Sequence, residues 1–301
     1  MEKTYYSHGK LLLTGEYFVL DGAQALAVPC KLGQTLEVHP NTKKGVEWLS
    51  YDMKANLWFQ QQFSVDDIKQ TPKNKPDTIA STLQKILHHS FLQNPAFFNE
   101  IAVACKTVLE FPRDWGLGSS STLINNIAQW IAIDAYQLLE NSFGGSGYDI
   151  AAAQSEKAFL YTRYNSPRAE EILLDWDFTD QIFFVHQNKK QDSKEGIAHY
   201  RAKVNNQKEE LSIINSLTQD FIQASSIEEL TRAIEKHEKF VASRIGLKPL
   251  KESLFPDYPH AIKSLGAWGG DFFMALGKEE DKEYFRNKGY STIIPYSDMV
   301  L

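Results

Sequence analysis

Residues 112–122 read Pro-Arg-Asp-Trp-Gly-Leu-Gly-Ser-Ser-Ser-Thr and run straight into an apolar-periodic segment, residues 123–139. This pattern predicts a tight glycine turn that opens a buried helix over residues 120–140. Gly116 and Gly118 allow backbone angles that a β-carbon forbids, and the serines that follow can cap the helix. The free N–H groups at a helix start attract anions, so the turn indicates a phosphate site, although a merely capped helix start is the alternative.

The composition describes an ordinary globular chain. It has 301 residues, of which 43% are hydrophobic and 23% are charged, with a net charge of −6. The length allows two modest domains, and the acidic balance excludes the basic footprint of a nucleic-acid-binding protein. The first eight residues lack the apolar core of a signal peptide, and no apolar run is long enough to span a membrane. We therefore expect a cytoplasmic monomer or homodimer that contacts neither nucleic acid nor membrane, with Cys30 and Cys105 as buried thiols.

Strand-like and helical segments are mixed without strict alternation, which favours an α+β fold over a doubly wound sheet. Period-2 and apolar runs predict strands, among others at residues 46–51, 57–63, 101–110 and 172–186. Helical spacing predicts helices at residues 78–92, 120–140, 150–161 and within 195–245. Two further glycine-containing segments, residues 7–22 and 266–271, lie one near each end of the chain.

In order and spacing, three segments resemble motifs 1, 2 and 3 of the GHMP kinases (galactokinase, homoserine, mevalonate and phosphomevalonate kinases). They are residues 7–22, which include Gly9-Lys10 and Thr14-Gly15-Glu16-Tyr17, residues 116–121, and residues 266–271. The resemblance covers most of the chain. It implies a two-domain α+β fold, with a half like ribosomal protein S5 domain 2 over residues 1–175 and a ferredoxin-like half over residues 176–301. It also implies that the active site lies in the cleft between the two halves.

The match is best with the mevalonate-pathway branch of the family. Residues 146–152, Ser-Gly-Tyr-Asp-Ile-Ala-Ala, are similar to a segment of mevalonate and phosphomevalonate kinases, and a bacterial subgroup carries Gly-Tyr-Asp-Ile-Ala itself. Gly269-Gly270-Asp271 is closer to the phosphomevalonate form of motif 3. The resemblance thus implies transfer of the γ-phosphoryl group of ATP, with Mg²⁺, to 5-phosphomevalonate or mevalonate, both anionic alcohols.

Two other functions stay open at this point. One is a kinase of the same family that acts on another alcohol, such as a sugar. The other is a non-catalytic binding module that keeps the fold. Trp268 stands where motif 3 has a glycine, and an indole cannot occupy that space, so either it turns outward or the motif supports the site differently. The spacing from Glu140 to Asp149 is also two residues shorter than in mevalonate kinases.

The resemblance also implies roles for individual residues. Lys10 and Asp149 are the expected catalytic pair: Asp149 accepts or orients the proton of the acceptor hydroxyl, and Lys10 keeps Asp149 ionised and steadies the phosphoryl group. The residues expected to hold the ATP phosphates are Gly116, Leu117, Gly118, Ser119, Ser120 and Ser121. Mg²⁺ is expected on Ser120 and on Glu140, at the far end of the same helix. The residues expected at the acceptor are Glu16, Tyr17, Ser146, Gly147, Arg163 and Gly269, with Arg168 and Lys189 as further cations.

Each of these roles has a structural alternative. Lys10 could be a surface lysine that precedes a strand. Asp149 could only cap a helix, and Glu140 could be a solvated carboxylate at a helix end.

Overall fold

The structure, a computed structural model, describes residues 2–72, 78–163, 166–189, 197–198, 200–202 and 207–301. The chain divides into two compact units. Unit 1 consists of Met1–Gly9, Leu32–Arg113 and Gly118–Gln154, and unit 2 consists of Lys10–Lys31, Asp114–Leu117 and Ser155–Leu301. Both units are discontinuous along the chain, whereas the sequence suggested a single boundary between residues 175 and 176.

Unit 1 combines strands with five helices among its described residues. Its strands are β1 (Lys3–Leu12) and β2 (Gln24–Pro40), which both continue into unit 2, and β3 (Gly45–Tyr51), β4 (Leu57–Phe63) and β5 (Ala102–Leu109). The order is β4-β3-β5-β2, with β1 also paired to β2. The helices are α1 (Val65–Lys69), α2 (Ile79–Gln93), α3 (Ser119–Ile131), α4 (Ala135–Ser142) and α5 (Tyr148–Gln154). Trp48, Leu87 and Ile127 belong to the core that these strands and helices share.

The segment after the glycine turn forms two helices instead of the single helix predicted over residues 120–140. α3 ends because Ala132 takes a left-handed conformation, with φ 58° and ψ 58°. Asp134 then starts α4 by accepting hydrogen bonds from the N–H groups of Tyr136 and Gln137. Glu140 therefore lies on a different helix from Ser120.

Unit 2 contains a four-stranded antiparallel sheet, built from β8 (Ile182–His186), β9 (Ile262–Ser264), β10 (Phe272–Leu276) and β11 (Ile293–Pro295). Its order, β11-β8-β10-β9, places the fourth strand beside the first and the third beside the second. This is the ferredoxin-like arrangement, so the expected fold class is confirmed. Its described residues include the helices α6 (Gln207–Ile222), α7 (Ile227–Ile245), α8 (Leu250–Leu254), α9 (Lys282–Asn287) and α10 (Tyr296–Met299).

The two remaining strands of unit 2 extend the sheet from the first half of β2. They are β6 (Phe159–Arg163), which pairs with residues 24–27 of β2, and β7 (Pro167–Glu171), which pairs with β6. The helix predicted over residues 150–161 is therefore wrong beyond Gln154, because pairing with β2 gives the Phe159 segment a buried place in a sheet. Of the two strands predicted around residues 172–186, only β8 is present.

The two cysteines are buried thiols, as the sequence predicted. Cys30 and Cys105 are both buried, and neither belongs to a disulfide. Within the described ranges, no helix is long and apolar enough to cross a membrane.

Candidate active site

The glycine turn has the backbone that its glycines permit. Gly116 and Gly118 have φ values of 68° and 91°, in the left-handed region that favours glycine. Gly118 directly precedes α3 and gives the helix start no side-chain cap, while the Ser121 hydroxyl donates to the Gly118 carbonyl at 2.8 Å. The serines therefore do not cap the helix as expected. Ser120 is exposed in the first turn of α3, and Ser119 beside it is half-buried.

Parts of all three glycine-containing segments meet within unit 2. The backbone N–H of Lys10, on β1, donates to the carbonyl of the buried Leu117 at 3.0 Å. Lys10 and Gly116 also line a small pocket together with Gly266 and Asp271. The structure thus places the Lys10 segment, the glycine turn and residues 266–271 around one pocket.

Asp271 packs directly on the backbone of Gly116. A β-carbon added at Gly116 would lie 2.2 Å from Oδ2 of Asp271, which is far inside van der Waals contact. Asp271 itself is held on both sides, because its N–H donates to the Lys189 carbonyl at 2.7 Å and its carbonyl accepts from the Gln187 N–H at 2.8 Å. The two segments approach so closely that a side chain at residue 116 would displace Asp271, and the left-handed backbone there also favours glycine.

Trp268 turns into the protein, so the outward orientation considered above is wrong. It keeps the left-handed backbone of a glycine, with φ 48°, but its side chain is only 3% exposed. The indole packs in a core that includes Tyr17, and Nζ of Lys263 lies 5.6 Å from the ring centroid. Gly269, the next residue, is exposed with φ 115°. The bulk of Trp268 therefore does not lie on the surface of the turn.

A buried group of charged side chains lies beside this core. We call it the Lys263 cluster, and it comprises Glu16, His237, Glu238, Lys263 and Ser264. Lys263 Nζ contacts Oε1 of Glu16 and lies 3.2 Å from Oε1 of Glu238. Glu238 accepts hydrogen bonds from the backbone N–H of Ser264 at 3.0 Å and from its hydroxyl at 2.8 Å. Nε2 of His237 lies 3.3 Å from Oε2 of Glu16.

Two residues that were expected at the acceptor are interior residues in this structure. Glu16 is fully buried, and its carboxylate is committed to the Lys263 cluster. Tyr17 is also buried, and its hydroxyl donates to the Ala267 carbonyl at 2.6 Å. Both side chains thus hold the interior of unit 2 and do not present a polar surface to a ligand.

The burial of the cluster changes how its members ionise. Burial raises the pKa of Glu238 to about 7, although the Lys263 ammonium acts in the opposite direction. Burial likewise raises the pKa of Glu16, and burial together with Lys263 lowers the pKa of His237 well below its ordinary value. With a neutral imidazole, one ammonium and two ionised carboxylates, the cluster would carry one net negative charge. Uptake of one proton by the two carboxylates removes that charge.

Asp149 lies in the first turn of α5 in unit 1, half-buried. The buried Ser146 and Gly147 precede this helix, and Gly147 has φ 88°. Tyr136 on α4 is near, since burial and then the charge of Asp149 raise the pKa of its phenol to about 12. The structure therefore places the predicted Ser146–Gly147–Asp149 group together.

Two hydrogen bonds that the sequence did not predict tie the helix of Asp149 to its neighbours. The Gln154 amide, at the end of α5, donates to Oδ1 of Asn125 on α3 at 2.8 Å. Asn125 in turn donates to the hydroxyl of Ser7 on β1 at 2.8 Å, and Asn125 and Ser7 are fully buried. The available signal was the Asn125-Asn126 pair inside the apolar face of a predicted helix.

The remaining predicted residues are more dispersed. Glu140 is exposed on α4, and Arg163 is half-buried at the end of β6. Arg168 is exposed on β7 and pairs with Glu170. Among the residues that the structure describes, no group of three or more His, Cys, Asp or Glu side chains could hold a metal ion. A Mg²⁺ site on Ser120 and Glu140, like the catalytic pair of Lys10 in unit 2 and Asp149 in unit 1, stays a prediction.

Several solved structures with the same fold are of small-molecule kinases. Methanococcus jannaschii mevalonate kinase shares 16% identity, with 98% of this chain and 97% of that chain covered and a TM-score of 0.73. Streptococcus pneumoniae phosphomevalonate kinase, in complex with phosphomevalonate and AMPPNP, shares 16% identity over 97% and 99% of the chains, with a TM-score of 0.72. Lactococcus lactis galactokinase, complexed with galactose, shares 14% identity over 100% and 93%, also with a TM-score of 0.72.

These comparisons establish the fold over the whole chain, and it is the fold of the GHMP kinases. Its structural neighbours include mevalonate kinases and phosphomevalonate kinases. No protein-family model and no curated protein matches the chain.

The contact between Gly116 and Asp271 predicts a measurable coupling. We expect Gly116→Ala to lower the free energy of unfolding by about 2 kcal/mol or more, through left-handed strain plus the clash with the carboxylate. Adding Asp271→Gly should restore about 1 kcal/mol in a double-mutant cycle of denaturant unfolding. Gly289→Ala is the control, because Gly289 has φ 88° but open space around its missing β-carbon. Equal losses for Gly116→Ala and Gly289→Ala would contradict the contact.

Glu238 predicts a pH dependence of stability. Its pKa rises from an ordinary value of 4.5 to about 7 on folding, so between these pH values the native state holds a proton that the unfolded chain releases. Relative to Glu238→Gln, the wild type should therefore lose stability as pH rises through this window, on the order of 1 kcal/mol per pH unit. His237, whose pKa is lowered by folding, contributes stability that increases with pH, but it is present in both proteins and so cancels from the difference between them. Glu235→Gln, an exposed carboxylate on the same helix, should give a flat difference; a flat difference for Glu238→Gln as well would refute the assignment.

Proposed function

We propose that this protein is an ATP- and Mg²⁺-dependent kinase that phosphorylates a small anionic alcohol, with 5-phosphomevalonate preferred over mevalonate. The observation that carries the proposal is the pocket lined by Lys10, Gly116 and Asp271, in a chain with the fold of GHMP kinases. Phosphoryl transfer depends on positioning and charge neutralisation, and a lysine beside a glycine turn at a helix start suits both.

The nucleotide phosphates are assigned to residues 116–121. The left-handed Gly116 and Gly118 let the backbone approach a ligand closely, and the uncapped start of α3 offers N–H groups to an anion. Ser120 and Glu140 would provide the oxygen ligands that Mg²⁺ prefers, and the ion would neutralise charge on the phosphates. That Ser120 and Glu140 are both exposed is compatible with this assignment.

Asp149 is assigned the role of taking the proton from the hydroxyl of the substrate alcohol. Lys10 is assigned the role of stabilising the phosphoryl group during its transfer. Ser146, Gly147 and the exposed Gly269 are the proposed acceptor contacts. For a second phosphate the candidate cations are Arg163 and Lys189, whose carbonyl already binds Asp271. Arginine binds phosphate bidentately, which favours the acceptor that carries a phosphate as well as a carboxylate.

The alternatives differ in how well they are supported. The galactokinase neighbour complexed with galactose keeps a neutral sugar as the second candidate acceptor. The non-catalytic module rested on Trp268 and on the short Glu140–Asp149 spacing, and the burial of the Trp268 indole removes the first of these two grounds.

Asp149→Asn tests the catalytic pair. The substitution keeps the shape of the side chain but removes its charge and its ability to take a proton, so we expect turnover to fall by about 10²–10⁴ with little change in nucleotide affinity. Asp134→Asn is the control, since Asp134 caps α4 in the same unit and should affect only stability. Wild-type turnover in the Asp149 variant, measured by ADP release, would leave Asp149 a helix-start residue only.

Acceptor specificity tests the substrate. With saturating Mg-ATP we expect kcat/KM to be highest for 5-phosphomevalonate, lower for mevalonate and negligible for galactose. Arg163→Gln should lower kcat/KM for 5-phosphomevalonate about tenfold or more, and that for mevalonate less, because a charged hydrogen bond is lost only with the former. Preference for mevalonate would reverse the order. Turnover of galactose alone would replace the acceptor class while leaving the kinase assignment intact.

A further inference from the structure

The Lys263 cluster joins three separate parts of unit 2. Glu16 follows β1, Glu238 belongs to α7 and Lys263 lies on β9. Lys263 is fully buried and contacts both carboxylates, so its ammonium is what makes their burial possible. Removing one partner of a buried ion pair leaves uncompensated charge, which displaces the surrounding structure or destabilises it.

The cluster also fixes the backbone that leads into residues 265–271. Lys263 Nζ donates to the Ser264 carbonyl, while Glu238 holds the N–H and the hydroxyl of Ser264. Trp268 lies with its ring against Nζ of Lys263, and the Tyr17 hydroxyl holds the Ala267 carbonyl. The start and the middle of this turn are therefore both tied to the buried charges or to their immediate neighbours.

The end of the turn reaches the proposed phosphate site. Asp271 packs on Gly116 without room for one additional carbon atom, and close-packed contacts of this kind transmit displacement. A shift of residues 265–271 would consequently move Gly116 or open the contact. A path thus runs from Lys263 to the glycine turn, through hydrogen bonds and packing as far as Trp268, through the backbone to Asp271, and through packing to Gly116.

We propose that Lys263 is a positioning residue for nucleotide binding: by neutralising Glu16 and Glu238 it holds residues 265–271 in the conformation that seats Asp271 against Gly116. The inference rests on the proposed function, since the bound group is the phosphate chain of Mg-ATP. It assigns the cluster a role at a distance, because Lys263 itself is buried and touches no ligand.

The test compares charge-balanced variants in the full chain. Lys263→Met combined with Glu16→Gln removes one charge of each sign and limits the buried imbalance. We expect the Kd for Mg-AMPPNP, measured by calorimetry, to rise about tenfold, and amide hydrogen exchange to accelerate in residues 114–118 and 265–271. Lys282→Met is the matched control: Lys282 is also buried and paired, with Glu279, but packs over Phe183, so its loss should lower stability and leave Kd unchanged.

Trp268→Gly provides a second variant if the charge variant does not fold. Glycine accepts the left-handed backbone of residue 268 while removing the ring under Lys263, so exchange in residues 265–271 and Kd should again increase. Unchanged Kd and unchanged exchange in every folded variant, with tight binding by the wild type, would overturn the inference alone. Failure of the wild type to bind Mg-AMPPNP would overturn the proposed function, and the inference with it.

Discussion

Burial of the Lys263 ammonium is the constraint that organises the interior of unit 2. Moving an ion out of water costs several kcal/mol even after relaxation, and only opposite charges with well-placed hydrogen bonds offset that cost. Glu16 and Glu238 supply the charges, and Ser264 satisfies the rest of the Glu238 carboxylate. Displacing any one of these groups would leave a buried charge unpaired, so the end of β1, α7 and β9 share one arrangement.

The turn that follows Lys263, residues 265–271, is subject to a second constraint at its far end, namely the lack of space. The backbone of Gly116 accepts the Asp271 carboxylate only because a β-carbon is missing. Charge thus fixes one end of residues 265–271 and close packing fixes the other. Trp268 lies between them in a conformation that is unfavourable for any residue but glycine, and its buried indole is what holds it there.

Local patterns predicted the features whose causes are local. The positive φ of Gly116 and Gly118, the helix α2 and the strands β3, β4 and β5 all follow from residue type and periodicity. The break after α3 does not, because Ala132 is the best helix former and nothing in its type marks a helix end. The β6 strand was missed because its stability comes from β2, more than a hundred residues earlier in the chain.

The candidate site also contains some features that the sequence predicted and others that depend on long-range contacts. The sequence brought Lys10, the glycine turn and residues 266–271 together through their resemblance to known motifs, and the structure places them at one pocket. It also suggested Glu16 and Tyr17 as ligand contacts, because it could not reveal that the partner of Glu16 lies 247 residues away. Pairing over such distances is a property of the fold and leaves no local pattern.

The discontinuity of the units has a consequence for biosynthesis. The last segment of unit 1 ends at Gln154, so all of this unit is synthesised before residues 155–301. The partner of Glu16, Lys263, lies 247 residues later in the chain. At the usual rate of translation, synthesis of that stretch takes on the order of 10–50 s. During that interval the carboxylate of Glu16 stays in water. Neutralisation of the buried charges therefore has to follow the synthesis of every segment of unit 1.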